Sequence, residues 1–126
     1  MGNAVDLDPS RSFDEWIKDL EIVIKVAEKA GFEFMANSGM QSILHFARYS
    51  GISTNIRFAN ETLTLPMLDP IQLASAAAHV DQMLGGRLDL GISIGYRGSD
   101  LEAAGITRKD RVPKLVKRTE KQKMVW

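Results

Sequence analysis

A chain of 126 residues is at most one domain, since domains usually span about 100–150 residues. Its 44% hydrophobic and 25% charged content suits one soluble core, and sixteen basic residues cancel sixteen acidic ones, so no net field draws nucleic acid or an anionic membrane. The absence of Cys excludes disulfides, thiol nucleophiles and thiolate metal sites, and no apolar run approaches the roughly 18 residues of a bilayer span.

Residues 1–11 are polar, acidic and rich in turn-formers. They do not look like a secretory signal, and they read as a flexible N-terminal arm ahead of a domain over 12–126. The expected location is cytoplasmic. Ser12 opens a helix, with Glu15 as the other half of a capping box. Phe13, Trp16, Ile17, Leu20, Val23, Ile24, Ala27 and Ala30 form one apolar stripe at helical spacing, and Gly31 stops the helix. Residues 32–36 read as a short buried strand and 41–50 as a helix ended by Gly51.

Residues 55–65, rich in Ile, Phe, Thr and Leu and bounded by Pro66, read as a second strand. Asp69 caps a helix with Pro70 at its first position, and that helix runs through 73–84 to Gly85–Gly86. Leu88, Leu90, Ile92 and Ile94 alternate with Asp89, Gly91 and Ser93 to give a third strand. A glycine-bearing loop over 95–105 then leads to a final helix over about 110–126. Strands alternating with helices imply an α/β fold with parallel pairing through right-handed crossovers.

The remaining polar residues carry weak signals. Lys114, Lys117, Arg118, Lys121 and Lys123 make a basic run, but Glu120 interrupts it and no aromatics interleave, so it reads as a solvated helix face. His45 and His79 have no metal-ligand spacing and read as surface or capping groups; no metal is expected. Asp81 and Arg87 flank the Gly85–Gly86 turn and read as a local pair.

The segment from Leu63 to Tyr96 resembles the bacterial-luciferase-like flavin monooxygenase family. The features that carry the resemblance are a strand ending at Leu65–Pro66, then Asp69–Pro70 and a helix, then Asp81–Gln82, Gly85–Gly86–Arg87, and a strand closing on Gly91 and Gly95. Weaker matches at 27–32 and at Gly105, Arg111, Glu120 and Trp126 extend it over residues 16–126. The resemblance implies a (β/α)8 TIM barrel that binds reduced FMN, or in one branch a reduced deazaflavin. Such an enzyme uses the flavin and oxygen to oxidise a small organic substrate, the deazaflavin branch transferring hydride instead. A complete barrel needs about 250 residues. The expectation is therefore a barrel fragment without the family's first strand, with two open sheet edges and one uncovered face. Self-association, completion by a second chain, or closure of the sheet against its own helices would cover that face. A non-catalytic, self-associating or partner-binding remnant of the barrel is the alternative reading.

Ligands of such barrels sit at the carboxyl ends of the strands. At the first strand end the family often carries an acidic residue and a His, where this chain has Gly39 and Met40. At the second, the resemblance implies a bulge at Asn60, Glu61 and Thr62 whose backbone supports the flavin ring, with a strained non-prolyl cis bond near Glu61–Thr62; the alternative is a plain edge strand with polar residues in solvent. At the third, the family's phosphate-binding Arg would fall at Ile94. Ser93 would stand beside the ring, Tyr96 could stack on it, and Gly95 with Arg97 and Ser99 could meet a phosphate. A solvated loop Arg is the plainer reading of Arg97.

Overall fold

The computed structural model describes Ser10 and residues 12–124. The expected N-terminal arm, apart from Ser10, and the end of the last helix at Trp126 lie outside the described residues. The elements run α1 (Phe13–Lys29), β1 (Phe34–Asn37), α2 (Gln41–Tyr49), β2 (Arg57–Thr64), a 3-10 turn at Leu65–Met67, α3 (Pro70–Met83), β3 (Leu88–Ser93), α4 (Gly98–Ala103) and α5 (Arg111–Lys123).

The helix starts follow from local chemistry. The Ser12 hydroxyl accepts from the Glu15 amide at 3.3 Å, and the Glu15 carboxylate accepts from the Ser12 amide at 2.8 Å, which closes the capping box. At α3, Asp69 Oδ1 accepts from the amides of Ile71 and Gln72 at 3.0 and 2.9 Å, and Pro70 needs no partner at the first position. The glycine-bearing loop differs from expectation: it contains α4, a short helix whose Leu101 is buried and gives the segment an anchor.

The three strands are all parallel, in the order β1-β2-β3. β2 is therefore central and Asn60 pairs on both sides, so the plain edge-strand reading fails for the strand, while Glu61 and Thr62 pair with neither neighbour and are exposed. Alternation divides the sheet into two faces. Met35, Phe58, Leu63, Leu88, Leu90 and Ile92 point to the helices, where Ile24, Ile43, Phe46, Tyr49, Leu73, Ala77, Val80 and Leu84 close the core. Phe34, Ala36, Arg57, Ala59, Thr64, Asp89, Gly91 and Ser93 point the other way by the same register. That face is mostly small or polar. Its Arg57 guanidinium grips Asp89 at 2.7 and 2.9 Å, holding the carboxyl below its ordinary range, and Phe34 is its one large exposed apolar side chain, 53% accessible.

The α1 stripe is narrower than the periodicity suggests. Ile17 and Ile24 are buried and Leu20 and Ala27 half-buried, while Phe13 and Val23 are exposed, because α1 flanks the core along a single line. Asp81 and Arg87 do not pair; each instead ties down backbone. Asp81 Oδ1 accepts from the Leu88 amide at 2.9 Å. Arg87 donates to the carbonyls of Leu84, Ile56 and Ser53 at 2.6–2.9 Å, closing the loops at the amino ends of β2 and β3. Glu28 Oε1 accepts from the amides of Asn55, Thr54 and Ile56, which lowers its carboxyl below the usual range and fastens α1 to the entry of β2.

Two further sequence readings need correction. Arg118 is not part of a solvated basic face: its guanidinium donates to the carbonyls of Leu65 and Leu68 in the 3-10 turn, since α5 packs there and those carbonyls have no helical partners. His45 is not a surface group. It lies among Trp16, Tyr49 and Phe13, with the Trp16 ring edge-on at 5.2 Å, and burial lowers its pKa. His79 is exposed, its Nδ1 at 2.8 Å from the Ser75 carbonyl.

Candidate functional site

The chemistry that the sequence offers gathers at the carboxyl end of the sheet. Asn60 pairs with Leu90, yet the next paired residues are Leu63 and Ile92, so Glu61 and Thr62 together oppose Gly91. This is a β-bulge, two residues against one. It presses its backbone toward β3: a Cβ on Gly91 would stand 2.3 Å from the Glu61 carbonyl oxygen and 2.5 Å from that of Asn60. Only glycine fits there. Every peptide bond among the described residues is trans, so the expected cis bond near Glu61–Thr62 is absent. The extra residue and the room opposite it at Gly91 accommodate the bulge without one.

The bulge is fixed from below by Asn60. This residue is 1% exposed and turns to the helix side, where its Nδ2 donates to the Gly39 carbonyl at 2.8 Å and to the Ser42 hydroxyl. Ser42 in turn donates to the Gly39 carbonyl at 2.7 Å. The end of β1, the start of α2 and the bulge are thus locked into one polar cluster. Glu61 and Thr62 are exposed beside it. At the end of β1 itself the residues are Asn37, Ser38, Gly39 and Met40, and Asn37 Oδ1 accepts from the Ser38 amide at 2.8 Å. No acid or imidazole stands at that strand end.

On the neighbouring strand, Ser93 pairs with Thr64 and its hydroxyl lies 3.4 Å from the Leu63 carbonyl. Gly95 then turns with φ +78°, packed so that a Cβ would meet Thr64 Cγ2 at 2.5 Å. Arg111 reaches back from α5 and donates to the Gly95 carbonyl at 2.8 Å. Asn60, Glu61, Thr62, Ser93 and Gly95 are therefore brought together on adjacent strand ends. Tyr96 and Arg97 are not part of that cluster: Tyr96 is 76% exposed and its ring carries the Arg97 guanidinium at 5.6 Å.

Sequence reasoning missed three groups here. The Asn60–Ser42–Gly39 cluster joins residues 18–21 apart and has no local signature. The Arg111 strap on Gly95 likewise depends on how α5 folds back. Gly91 did have a signal, since an isolated glycine inside an alternating strand marks a bulge or a close backbone approach.

A planar ring cofactor fits this surface in one respect and is crowded in another. Ala36, Ala59, Gly91 and Ser93 leave the open face shallow around the bulge, while the Glu61 side chain rises from it. No guanidinium stands at Ile94, so any phosphate would have to be met from the loop that follows Gly95.

The Luciferase-like monooxygenase family model matches residues 3–126. Among solved structures, the oxygenating constituent of 3,6-diketocamphane monooxygenase from Pseudomonas putida, a type II Baeyer-Villiger monooxygenase in complex with FMN, superposes with a TM-score of 0.80 at 23% identity. The match covers 91% of this chain and 35% of that one. A monooxygenase, RslO1, from Streptomyces bottropensis gives 0.79 at 16% identity, covering 87% and 36%. The coenzyme F420 dependent tetrahydromethanopterin reductase of Methanopyrus kandleri gives 0.61 at 22%, covering 73% and 27%. An uncharacterized protein, y4vJ, of Sinorhizobium fredii is 30% identical over 64 residues, which is 51% of this chain and 18% of that protein. At these identities the structural matches establish a shared fold: the parallel sheet alternating with helices corresponds to part of the TIM-barrel-like luciferase fold. The chain spans about a third of the length of the first two solved relatives.

Proposed function

We propose that this chain, which belongs to the luciferase-like monooxygenase family over residues 3–126, contributes a flavin-binding segment to an oxidoreductase. The cofactor in this reading is FMN, with a reduced deazaflavin as the alternative. The observation that carries it is the bulge at Glu61–Thr62, built against Gly91 at the carboxyl ends of the strands and on the face that the helices leave open. The Glu61–Thr62 backbone would lie along one side of the ring and Ser93 at its edge. When bound, the reduced flavin supplies the reaction with oxygen by which a small organic substrate is oxidised. The chain's own part is to orient the ring on a rigid strand end and, through the Asn60–Ser42–Gly39 cluster, to keep that end from moving. The two unpaired sheet edges support completion of the pocket by a second copy or a further polypeptide. The setting we propose is the cytoplasm; among the described residues no helix is long and apolar enough to cross a membrane.

A second reading has its own observation. The end of β1 offers no acid or His to move a proton, so a non-catalytic remnant that uses the open sheet to bind a copy of itself is also supported. Titrating the chain with FMN and with riboflavin, followed by quenching of flavin fluorescence, separates the two. Saturable binding that Gly91→Ala removes supports the flavin reading. Self-association on sizing without flavin binding supports the remnant, and a stable monomer that binds no flavin rejects both.

A further inference from the structure

Beyond the bulge, the segment after β3 folds around a second concavity. From Gly95 the chain enters α4, turns again at Gly105 with φ +65°, and rises into α5 at Arg111. The space enclosed is a cleft of about 820 Å3 lined by Tyr96, Leu101, Glu102, Ile106, Arg108 and Arg111, among others. Its volume is that of a small-molecule site. Leu101 and Ile106 are each 4% exposed and give it an apolar floor, with the Tyr96 ring at one side.

The charges around this cleft are unevenly committed. Asp110, the acid nearest both arginines in sequence, is already engaged: Thr107 donates to its Oδ2 from the hydroxyl at 2.6 Å and from the amide at 3.1 Å, which holds the carboxyl below its usual range. Arg111 spends Nη1 on the Gly95 carbonyl and Nε on the Arg108 carbonyl, which fixes its direction and leaves Nη2 without a protein acceptor among the described residues. The ion pairs among the described residues are Lys18–Asp14, Arg48–Glu21 and Arg57–Asp89, and none involves Arg108 or Arg111. Two arginines therefore line an apolar-floored cleft against a single lining carboxylate, that of Glu102, with the Arg97 guanidinium against the Tyr96 ring beside them. That surplus of positive charge suits an anionic group, and the apolar floor suits a planar organic body.

We infer that this cleft is a recognition site for an aromatic or similarly planar carboxylate, its body on Leu101, Ile106 and Tyr96 and its carboxyl group held by Arg108 and Arg111. One carboxylate oxygen would accept from Arg111 Nη2 and the other from Arg108, and the pre-set direction of Arg111 reduces the ordering that binding would otherwise require. The inference does not rest on flavin binding; it would hold for a chain that never takes up the cofactor.

The test uses calorimetric titration of the full chain with 2-naphthoate and with the neutral analogue 2-naphthalenemethanol, and, in parallel, with FMN and riboflavin. The expected result is saturable binding of the carboxylate, about tenfold or more tighter than the alcohol, from charge-assisted hydrogen bonds. Arg108→Gln removes that preference, Arg108→Lys restores part of it, and neither changes the circular dichroism, since Arg108 is exposed. Equal affinity for acid and alcohol overturns the inference, as does a preference that survives Arg108→Gln or no binding at millimolar carboxylate. Arg108→Gln weakening FMN relative to riboflavin while leaving 2-naphthoate untouched also overturns it, because the anion would then be the flavin's phosphate.

Discussion

The two faces of the sheet solve different problems with the same three strands. Toward the helices, Phe58, Leu63 and Leu88 sit in a continuous apolar core with aromatic contacts from Phe46 and Tyr49 to the Phe58 ring. Toward the open side, the same strands present Ala59, Gly91 and Ser93, one ion pair and a bulge. The first face holds the fold together. The second contributes little burial and is free to be shaped for a ligand, which is why the one backbone irregularity of the sheet occurs at its carboxyl end. The difference teaches that the residues that stabilise the fold and those of the proposed site alternate along a single strand.

Substitutions on adjacent positions of β2 and β3 break or sharpen that contrast. The largest effect belongs to Phe58→Ala, expected to cost about 3–5 kcal/mol in urea unfolding because the ring is fully buried. A loss no larger than that of an open-face variant would contradict the division. Next is Gly91→Ala, which forces a Cβ into the Glu61 carbonyl and should cost roughly 1–3 kcal/mol while abolishing flavin binding. Retention of binding with an unshifted bulge would show that the close approach is not required. Smaller still is Arg57→Ala on the open face, expected to leave the urea midpoint nearly unchanged since both partners of its ion pair are nearly half exposed, at 46% and 45%.

The smallest effect is a pH slope that originates on the helix side. His45 has its pKa lowered by burial among Trp16, Phe13 and Tyr49, so the unfolded chain takes up the proton first. Stability from this group is complete above the unfolded value of 6.5 and declines as pH falls below it. Thermal melts between pH 7.5 and 5 (roughly the window in which an ordinary imidazole titrates) should show a falling midpoint, flattened by His45→Phe. An equal slope in the variant would assign the effect elsewhere. Tyr49, whose pKa burial pushes up to about 12, does not titrate in that range.

Much of the helix-packed side was legible in the sequence. Ser12 with Glu15, Asp69 with Pro70, and the alternation through Leu88, Leu90 and Ile92 act within a few residues, so pattern alone locates α1, α3 and β3. Strand ends shift by up to two residues, as at β2, where pairing rather than composition decides where Arg57 begins and Thr64 ends. The site was legible only as a neighbourhood. Residues 60–62 and Ser93 do meet on adjacent strands, but the turn of Asn60 toward Ser42, the strap from Arg111 and the cleft around Arg108 depend on contacts far apart in sequence. Tyr96 and Arg97 illustrate the limit: their types suit a flavin, yet they stack on one another apart from the strand-end cluster.

The central claim is that the open face around the bulge is where a flavin ring rests. Amide shift mapping of the chain during an FMN titration tests it most directly. The account predicts saturable shifts, with half-saturation at about 10–100 µM for a partial pocket, concentrated at Glu61, Thr62, Leu63, Gly91 and Ser93 and absent from α1. Shifts that fail to saturate, or that gather on the helices instead, would contradict it.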